Sequence, residues 1–375
     1  MRHGYPLVEL HRHLDGNVRL ATVLDLARRH GVALPADDLE GLRPYVQVSE
    51  RETDLVAFLA RFEWTRRVFA DTDAVRRIAR ENVEDAAAEG IDYVELRFSP
   101  YFMAERHGLD PVAVVEAVCD GVEEALAAEA ARHGAAEAVA AEAARHGVEQ
   151  ALAAEAARHG VEQALAAEAG EGSPNPRPGP PPRARDRPPG LPPRARLIGI
   201  ISRNFGTEIG WIELEAALAG RDRGVVALDL AGDEASWPGE LFVDHFRRAR
   251  EGGLKTIAHA GEAAGPESVR QAVLGLGAER IGHGVRAIED PATLDLLAER
   301  QIPLEVCPTS NLQTSTVASW AEHPLPRFLE LGLRATLNTD DPSISGIDLA
   351  HEYRVAKEHL GLTEADCRTL QENAL

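Results

Sequence analysis

Cysteine is scarce in this sequence, and its positions exclude two kinds of site. The 375 residues include three cysteines, at 119, 307 and 367, with no CxxC pair. A disulfide framework and a thiolate metal cluster both need more cysteines at closer spacing, so neither is expected. The sequence also lacks the run of roughly 18 apolar residues that spans a membrane and the apolar stretch of a signal peptide. We therefore expect a cytoplasmic protein that makes no membrane contact.

Positive charge is in short supply as well. Lysine and arginine number 40 against 61 acidic residues, and the formal net charge is −21. Because nucleic-acid binding depends on clustered cations that neutralise phosphates, this balance argues against a nucleic-acid partner. With 44% hydrophobic residues, the chain can still bury a sizeable core. The composition favours a globular protein, a monomer or a weak oligomer, that acts on a small molecule.

Eight short apolar runs alternate with segments of helical periodicity, which is typical of βα units around a parallel sheet. An extra helix is predicted inside the first crossover, from Asp54 to Val68. A chain of this length fits one (β/α)8 barrel of the TIM type, an α/β fold of about 200 to 400 residues. Counting strands alone leaves an open doubly wound sheet as an alternative. The predicted strands are Leu7–Leu14, Ile91–Phe98, Leu197–Ser202, Val225–Leu230, Thr256–His259, Arg280–Gly284, Ile302–Val306 and Arg334–Thr339.

One segment, residues 133–195, interrupts this alternation. The unit AAEAARHG begins at Ala127, Ala140 and Ala153, a period of 13 residues, and a tract rich in proline, glycine and arginine follows. One period rotates a helix by about 220° beyond full turns, so the histidines of the repeat do not share a face. We expect them to be solvated rather than to bind metal. The prediction is an Ala-rich helix and a Pro-rich linker, inserted in a single barrel domain of residues 1–375.

Histidines with a spacing suited to metal follow the first and fifth predicted strands. His11 and His13 are two residues apart, so in a strand both side chains point to the same side. His259 ends the fifth strand and can add a third nitrogen ligand. Glu262 follows after a glycine that lets the backbone turn, and a carboxyl group beside a metal can carry a proton. Each motif alone is also compatible with an ordinary loop.

Three further strand ends carry polar or small residues. His283 lies between two glycines at the end of the sixth strand, Asp340 and Asp341 follow the eighth, and Gly232 follows the fourth. Adjacent carboxylates need a cation or hydrogen-bond donors, although an Asp-Asp-Pro turn is the alternative. In a barrel all these ends lie on the face that carries the catalytic groups, and this agreement favours the barrel over the open sheet.

The ligand types favour one zinc ion. Three imidazoles and one carboxylate make a suitable zinc shell that leaves a position for water. Barrel enzymes that bind two metal ions with such ligands usually bridge the ions with a lysine of the fourth strand. The fourth predicted strand has no lysine, so one ion is expected.

Seven motifs occur in an order that matches a known family. They are HRHLDGN, SRNFG, ALDLAGDE, HAGEAAGPES, ERIGHGV, CPTSNLQTSTV and LNTDDPS. Together they resemble the adenosine deaminase family, and closely its bacterial members, from about Leu7 to the end of the chain except for roughly His133–Arg194. The family continues into a closing helix, and we expect this chain to stop short of it, at Leu375.

The resemblance implies zinc-dependent hydrolysis of adenosine, and of 2′-deoxyadenosine, to inosine and ammonia in purine salvage. Glu262 would protonate N1 of the purine, and His283 would orient the attacking water and take its proton or stabilise the developing charge. Asp341 would hold the water and contact the purine, Asp15 would bind the ribose, and the Gly232 N–H would contact ring N3. The implied zinc ligands are His11, His13, His259 and Asp340. The implied substrate contacts are His13, Asp15, Gly232 and Asp341.

Two other readings stay open. An enzyme of the same fold could act on another 6-aminopurine, such as adenine or aminodeoxyfutalosine. Asp15 favours a nucleoside over a free base, but aminodeoxyfutalosine keeps the ribose. A zinc-binding interaction protein without turnover is the non-enzymatic alternative. Glu262 and His283 speak against it, because neither is needed merely to hold zinc.

Overall fold

Eight parallel strands lie side by side in chain order and curve into a barrel. The computed structural model describes residues 6–48, 50–135 and 193–375. The first and last strands are joined because His13 N–H donates to the Asp340 carbonyl at 2.8 Å and Asp340 N–H to the His11 carbonyl at 3.0 Å. The predicted (β/α)8 barrel is confirmed. Its strands are β1 (Val8–His13), β2 (Tyr93–Phe98), β3 (Arg194–Ser202), β4 (Val225–Ala231), β5 (Lys255–Ala260), β6 (Arg280–His283), β7 (Leu304–Val306) and β8 (Ala335–Leu337).

Helices fill the crossovers between the strands, and many begin at a residue that caps them. Asp38, Asp54, Asp71, Asp290 and Asp348 each accept a hydrogen bond from a backbone N–H of the first helical turn, which satisfies a donor that the helix leaves free. The helices are α1 (Leu20–His30), α2 (Leu39–Val46), α3 (Leu55–Leu59), α4 (Phe62–Arg66), α5 (Thr72–Glu89), α6 (Pro100–Glu105), α7 (residues 111–135), α8 (Gly206–Ala219), α9 (Val243–Glu251), α10 (Pro266–Gln271), α11 (Pro291–Arg300), α12 (Pro308–Gln313), α13 (Leu325–Glu330), α14 (Pro342–Ser345), α15 (Leu349–Glu358) and α16 (Glu364–Asn373).

The strand bounds differ from the predicted ones by up to three residues, and two differences concern the insertion and the first crossover. The single helix expected from Asp54 to Val68 is two short helices, α3 and α4, because tighter turns intervene: Arg61 N–H donates to the Phe58 carbonyl and Glu63 N–H to the Ala60 carbonyl. Strand β3 begins at Arg194, so the last two residues of the segment predicted as an insertion, 133–195, belong to the barrel.

Apolar side chains pack on both faces of the strands. Leu197, Leu228 and Ala258 belong to the large buried cluster between the strands and the helices. Their sequence neighbours Ile198, Ala227 and Ile257 form a separate small cluster on the opposite face, inside the barrel. Alternate residues of a strand point to opposite faces, so this division is what a closed sheet covered by helices requires.

The chain divides into two units, Met1–Leu126 with Pro193–Leu375, and Ala127–Pro192. In the second unit the described residues, 127–135, are helical, and Glu129 pairs with Arg132 across one turn. His146, His159 and the Pro-rich tract lie outside the described residues, so the assignment of 133–195 as an insertion in one barrel domain stays a prediction. None of the helices described here combines the length and the apolar character that crossing a bilayer requires.

Candidate active site

The end of β1 and the residues after β8 meet at the carboxyl end of the barrel. His11 Nε2 lies 3.2 Å and His13 Nε2 lies 3.3 Å from the same oxygen, Oδ1 of Asp340. Asp340 has a left-handed backbone conformation, with a φ of 66°. Such a conformation is costly for a residue with a β-carbon and is common at functional sites. Closure of the barrel therefore brings together three of the four predicted metal ligands.

His259, near the end of β5, supplies the third imidazole. Its Nε2 lies 3.2 Å from His13 Nε2, and its Nδ1 lies 3.1 Å from Oδ2 of Asp229. In the same way, His11 Nδ1 lies 2.9 Å from Oε2 of Glu305. A carboxylate beside Nδ1 keeps the ring hydrogen on that atom and leaves the Nε2 lone pair free for a metal. His11 Nε2 is buried and finds no hydrogen-bond partner among the described residues.

The spacing of these atoms suits a tetrahedral zinc ion. Two ligands at normal zinc distances lie about 3.3 Å apart at the tetrahedral angle, and the three separations above are 3.2, 3.2 and 3.3 Å. His283 is also near, since ligand atoms of His11, His259, His283 and Asp340 lie within 4.8 Å of one another. However, His283 Nε2 approaches the other carboxylate oxygen of Asp340, at 3.8 Å. The residues present fit a metal ion held by His11, His13, His259 and Asp340, with His283 beside it.

Glu262 and His283 face each other next to this cluster. Oε2 of Glu262 lies 3.6 Å from Nε2 of His283, and both side chains are buried. Burial, and after it the charge of Asp340, raises the pKa of Glu262 well above its usual range. Burial lowers the pKa of His283 well below its usual value, and the side-chain amide nitrogen of Asn311 lies 3.0 Å from its Nδ1. The site thus holds a carboxyl group suited to donate a proton beside a neutral imidazole.

Asp341 is buried against Gly16, in the loop after β1. Burial, and after it the charge of Asp340, raises the pKa of Asp341 well above its usual range. Its Oδ1 finds no hydrogen-bond partner within the described ranges. A β-carbon at position 16 would lie 1.5 Å from this oxygen, so glycine is what lets Asp341 occupy its position. A buried acceptor without a partner is available to a ligand or a water.

A cavity of about 280 Å³ opens over these groups, close to the lower end of the range for small-molecule sites, about 300 to 1,000 Å³. Asp15 and Gly232 both line it, and Phe58 and Phe62 contribute to an apolar wall. Asp15 Oδ2 accepts a hydrogen bond from the Ser99 N–H at 3.3 Å, and its Oδ1 lies 3.6 Å from His13 Nδ1 but makes no hydrogen bond in the described part of the chain. The cavity suits a small molecule with one apolar and one polar side.

The structure also shows functional groups that sequence reasoning missed. Arg97, in β2, donates hydrogen bonds to Asp229 at 2.7 Å and to Glu305 at 2.6 Å, the carboxylates that hold two of the histidines. Ser310, in α12, donates to Oδ2 of Asp340 at 2.6 Å. A usable signal was present, because charged residues inside apolar strand runs are tolerated only when they are paired. That rule predicts pairing but does not tell which partners meet.

The comparisons with known proteins agree over nearly the whole chain. The sequence profile described as adenosine deaminase matches residues 6–168 and 191–375, so the unmatched gap is shorter than the predicted interruption at His133–Arg194. The chain is 49% identical over 370 residues to an adenosine deaminase of Serratia proteamaculans, covering 99% of this chain and 92% of that protein. It is 46% identical over 370 residues to an adenosine deaminase of Shewanella loihica, covering 99% and 93% respectively.

Solved structures give the same architecture. An adenine deaminase from Arthrobacter aurescens superposes with a TM-score of 0.75 at 26% identity, covering 99% of this chain and 93% of that one. An amidohydrolase from Burkholderia ambifaria with bound zinc has a TM-score of 0.74 at 26% identity, covering 99% of this chain and 84% of that one. On the profile match and on the identity to curated relatives over almost its full length, this chain belongs to the adenosine deaminase family.

Proposed function

We propose that this protein is a zinc-dependent enzyme that hydrolyses adenosine to inosine and ammonia. The observation that carries the proposal is the convergence of four metal-ligand side chains, three of which line one cavity together with Glu262. The ligands are His11, His13, His259 and Asp340, and the spacing of their atoms suits one ion rather than two. When bound, zinc supplies Lewis acidity, which lowers the pKa of a water molecule so that it becomes nucleophilic near neutral pH.

The reaction adds the oxygen of water to C6 of the purine. Of the two protons of that water, one goes to the 6-amino group, which leaves as ammonia, and the other replaces the proton that Glu262 gives to the ring. Glu262 donates a proton to N1 of the ring, which makes C6 more electrophilic, and burial raises its pKa, which favours the protonated form that this task needs. Asp341 uses its unpaired oxygen to hold the water in place. His283 orients the water and stabilises the charge that develops on it, because its Nε2 points toward Glu262 and Asp340.

The substrate is a nucleoside in this proposal. Asp15 lines the cavity, and its Oδ1, which lies 3.6 Å from His13 Nδ1 and makes no hydrogen bond to the described residues, accepts a hydrogen bond from a ribose hydroxyl, while the Gly232 N–H donates to ring N3. His13 and Asp341 complete the contacts to the substrate. A role in purine salvage in the cytoplasm fits the three cysteines, which are all free and buried, as is usual in a reducing compartment. Adenine and aminodeoxyfutalosine are the rival substrates.

The ultraviolet change from adenosine to inosine tests the proposal with purified protein. We expect turnover of adenosine to exceed turnover of adenine and of aminodeoxyfutalosine. A chelator should abolish it and added zinc should restore it. Faster turnover of a rival substrate would replace the substrate assignment, and a protein that binds zinc but turns over none of the three would favour the non-enzymatic alternative.

The proton-donor assignment is tested by Glu262→Gln. We expect a loss in kcat of about 10²- to 10⁴-fold, the usual contribution of general acid catalysis, with an unchanged zinc content. Glu279→Gln is the matched control, because Glu279 forms an exposed ion pair with Lys255, and exposed pairs contribute little. Glu262→Gln with a near-normal kcat would remove the assignment.

A further inference from the structure

A second glutamate, Glu234, lies behind the loop that carries Glu262. It follows β4, is 3% exposed, and takes no part in the roles above. Its two carboxylate oxygens accept hydrogen bonds from four successive backbone N–H groups of the loop, at 2.7 to 3.1 Å. The donors are those of Gly261, Glu262, Ala263 and Ala264. The hydroxyl of Ser268, in α10, donates a fifth hydrogen bond to the same carboxylate.

These hydrogen bonds fix the backbone of Glu262 on both sides. One carboxylate oxygen takes the N–H of Gly261, and the other takes the N–H of Glu262 itself and those of the next two residues. Hydrogen bonds to an ionised carboxylate are roughly twice as strong as neutral ones. Arg203, which is also buried, donates to the carbonyl of His259 at 2.5 Å and to that of Trp237 at 3.0 Å. The carboxylate of Glu234 therefore binds the loop itself, and the guanidinium of Arg203 binds the backbone just before the loop.

We propose that Glu234 is a positioning residue for the deamination reaction, which holds the loop of residues 261–264 so that the Glu262 carboxyl group faces His283 and the cavity. This inference rests on the proposed role of Glu262 as the proton donor. The loop connects β5 to α10 without regular secondary structure, and misplacement of a reacting group by about 1 Å can cost about 100-fold in rate. Five hydrogen bonds on one side chain are a means to prevent such a displacement.

A role in metal binding would give a different result. The ring of His259 is oriented by Asp229, through its Nδ1, and not by Glu234. The other proposed ligands, His11, His13 and Asp340, come from β1 and from the segment after β8. Loss of the Glu234 carboxylate should therefore displace Glu262 and leave the zinc content unchanged.

The variant Glu234→Gln tests the positioning role, because glutamine has the same length. In glutamine an NH₂ group replaces one carboxylate oxygen, and an NH₂ group cannot accept hydrogen bonds from the backbone N–H groups of the loop. The hydrogen bonds of one oxygen are therefore lost. We expect kcat for adenosine to fall about 100-fold, while KM changes less than about threefold and the zinc content per chain stays equal to that of the wild type. A KM that rises as kcat stays constant would overturn the inference.

Glu81→Gln is the matched control. Glu81, in α5, is also buried, at 5% exposed, and its carboxylate binds Thr22 and Arg77 outside the cavity. The Glu81→Gln variant should have a lower thermal stability, because a buried hydrogen-bonded carboxylate is lost, and an unchanged kcat. If both variants lower kcat equally, the effect of Glu234→Gln is merely structural and the inference fails.

A double-mutant cycle separates this inference from the proposed function. In the Glu262→Gln background, Glu234→Gln should lower kcat by less than about threefold, because the group that it positions is already gone. A further 100-fold loss would overturn the positioning role. If Glu262→Gln alone is fully active, the proposed proton donor is wrong. If Glu262→Gln is inactive and Glu234→Gln is normal, only the present inference is wrong.

Ser268→Ala provides a second variant in case Glu234→Gln does not fold. It removes one of the five hydrogen bonds to the carboxylate and leaves the four backbone bonds. We expect a fivefold to tenfold lower kcat with an unchanged KM and zinc content. A Ser268→Ala variant with the wild-type kcat would contradict the role of this hydrogen-bond network.

Discussion

Replacing Gly16 by alanine should displace Asp341 without altering its carboxylate. The new β-carbon would lie 1.5 Å from Oδ1 of Asp341, whereas contacts of real β-carbons stay above 3.0 Å. Gly16 does not have a positive φ, so an alanine fits its backbone and the clash is the main effect. The oxygen must therefore move by about 1.5 Å or more. Since a displacement of about 1 Å can cost about 100-fold in rate, we expect kcat/KM to fall by about that factor, or about 2.7 kcal/mol of transition-state stabilisation.

The assay is the ultraviolet decrease on conversion of adenosine, measured with wild type, Gly16→Ala, Asp341→Ala and the double variant. The double variant should be no slower than Asp341→Ala, because the clash disappears with the carboxylate. Gly134→Ala is the matched control, since a β-carbon there meets no atom of the described residues within 4 Å, and it should keep the wild-type kcat/KM. A fully active Gly16→Ala, or losses that add in the double variant, would refute the role of Asp341 argued here.

Three further outcomes are expected. Ser310→Ala removes the hydroxyl that donates to Asp340 and should weaken zinc affinity by about 10- to 100-fold, measured by competition with a chelator; equal affinity would contradict the proposed ligand set. Burial raises the pKa of Glu213 to about 8, so between about pH 4.5 and 8 the folded state binds a proton that the unfolded state has released. The free energy of unfolding therefore falls as the pH rises through this range, by up to about 1.4 kcal/mol per pH unit. Glu213→Gln resembles the protonated form and can still bond to Ser99, so urea unfolding between pH 5 and 8 should show a shallower decline than wild type; an identical slope would contradict the raised pKa. Deletion of residues 169–190, which the family profile does not match, should leave kcat/KM within twofold, and loss of zinc on deletion would contradict the prediction that this segment is an inserted linker.

Much of the barrel could be predicted from sequence because its strands are apolar on both faces. Such runs stand out from the helical segments, and each of the eight lies where a strand was predicted. The split of the segment from Asp54 to Val68 into two helices could not be read in the same way. The apolar residues keep helical spacing across Ala60 and Arg61, where the two helices are separated. Neither position is a glycine or a proline, so the sequence does not mark the break.

The convergence of the four proposed ligands could be predicted because each lies within three residues of the end of a strand. His11, His13, His259 and Asp340 need only the alternation of strand residues and the closure of the barrel to meet. The residues that hydrogen-bond to the ligands and to their loops could not be predicted from the sequence. The contact of Glu234 with its loop depends on the direction of four backbone N–H groups, and sequence patterns do not specify backbone direction in an irregular loop.

The cluster of His11, His13 and Asp340 forms only when β1 pairs with the residues after β8. His11 and His13 leave the ribosome early, and Asp340 is synthesised more than 300 positions later. The backbone bonds that seat Asp340 between these histidines also close the barrel. A nascent chain that has not reached Asp340 therefore carries the histidines without the carboxylate, and the cluster is complete only after both segments have been made and have paired.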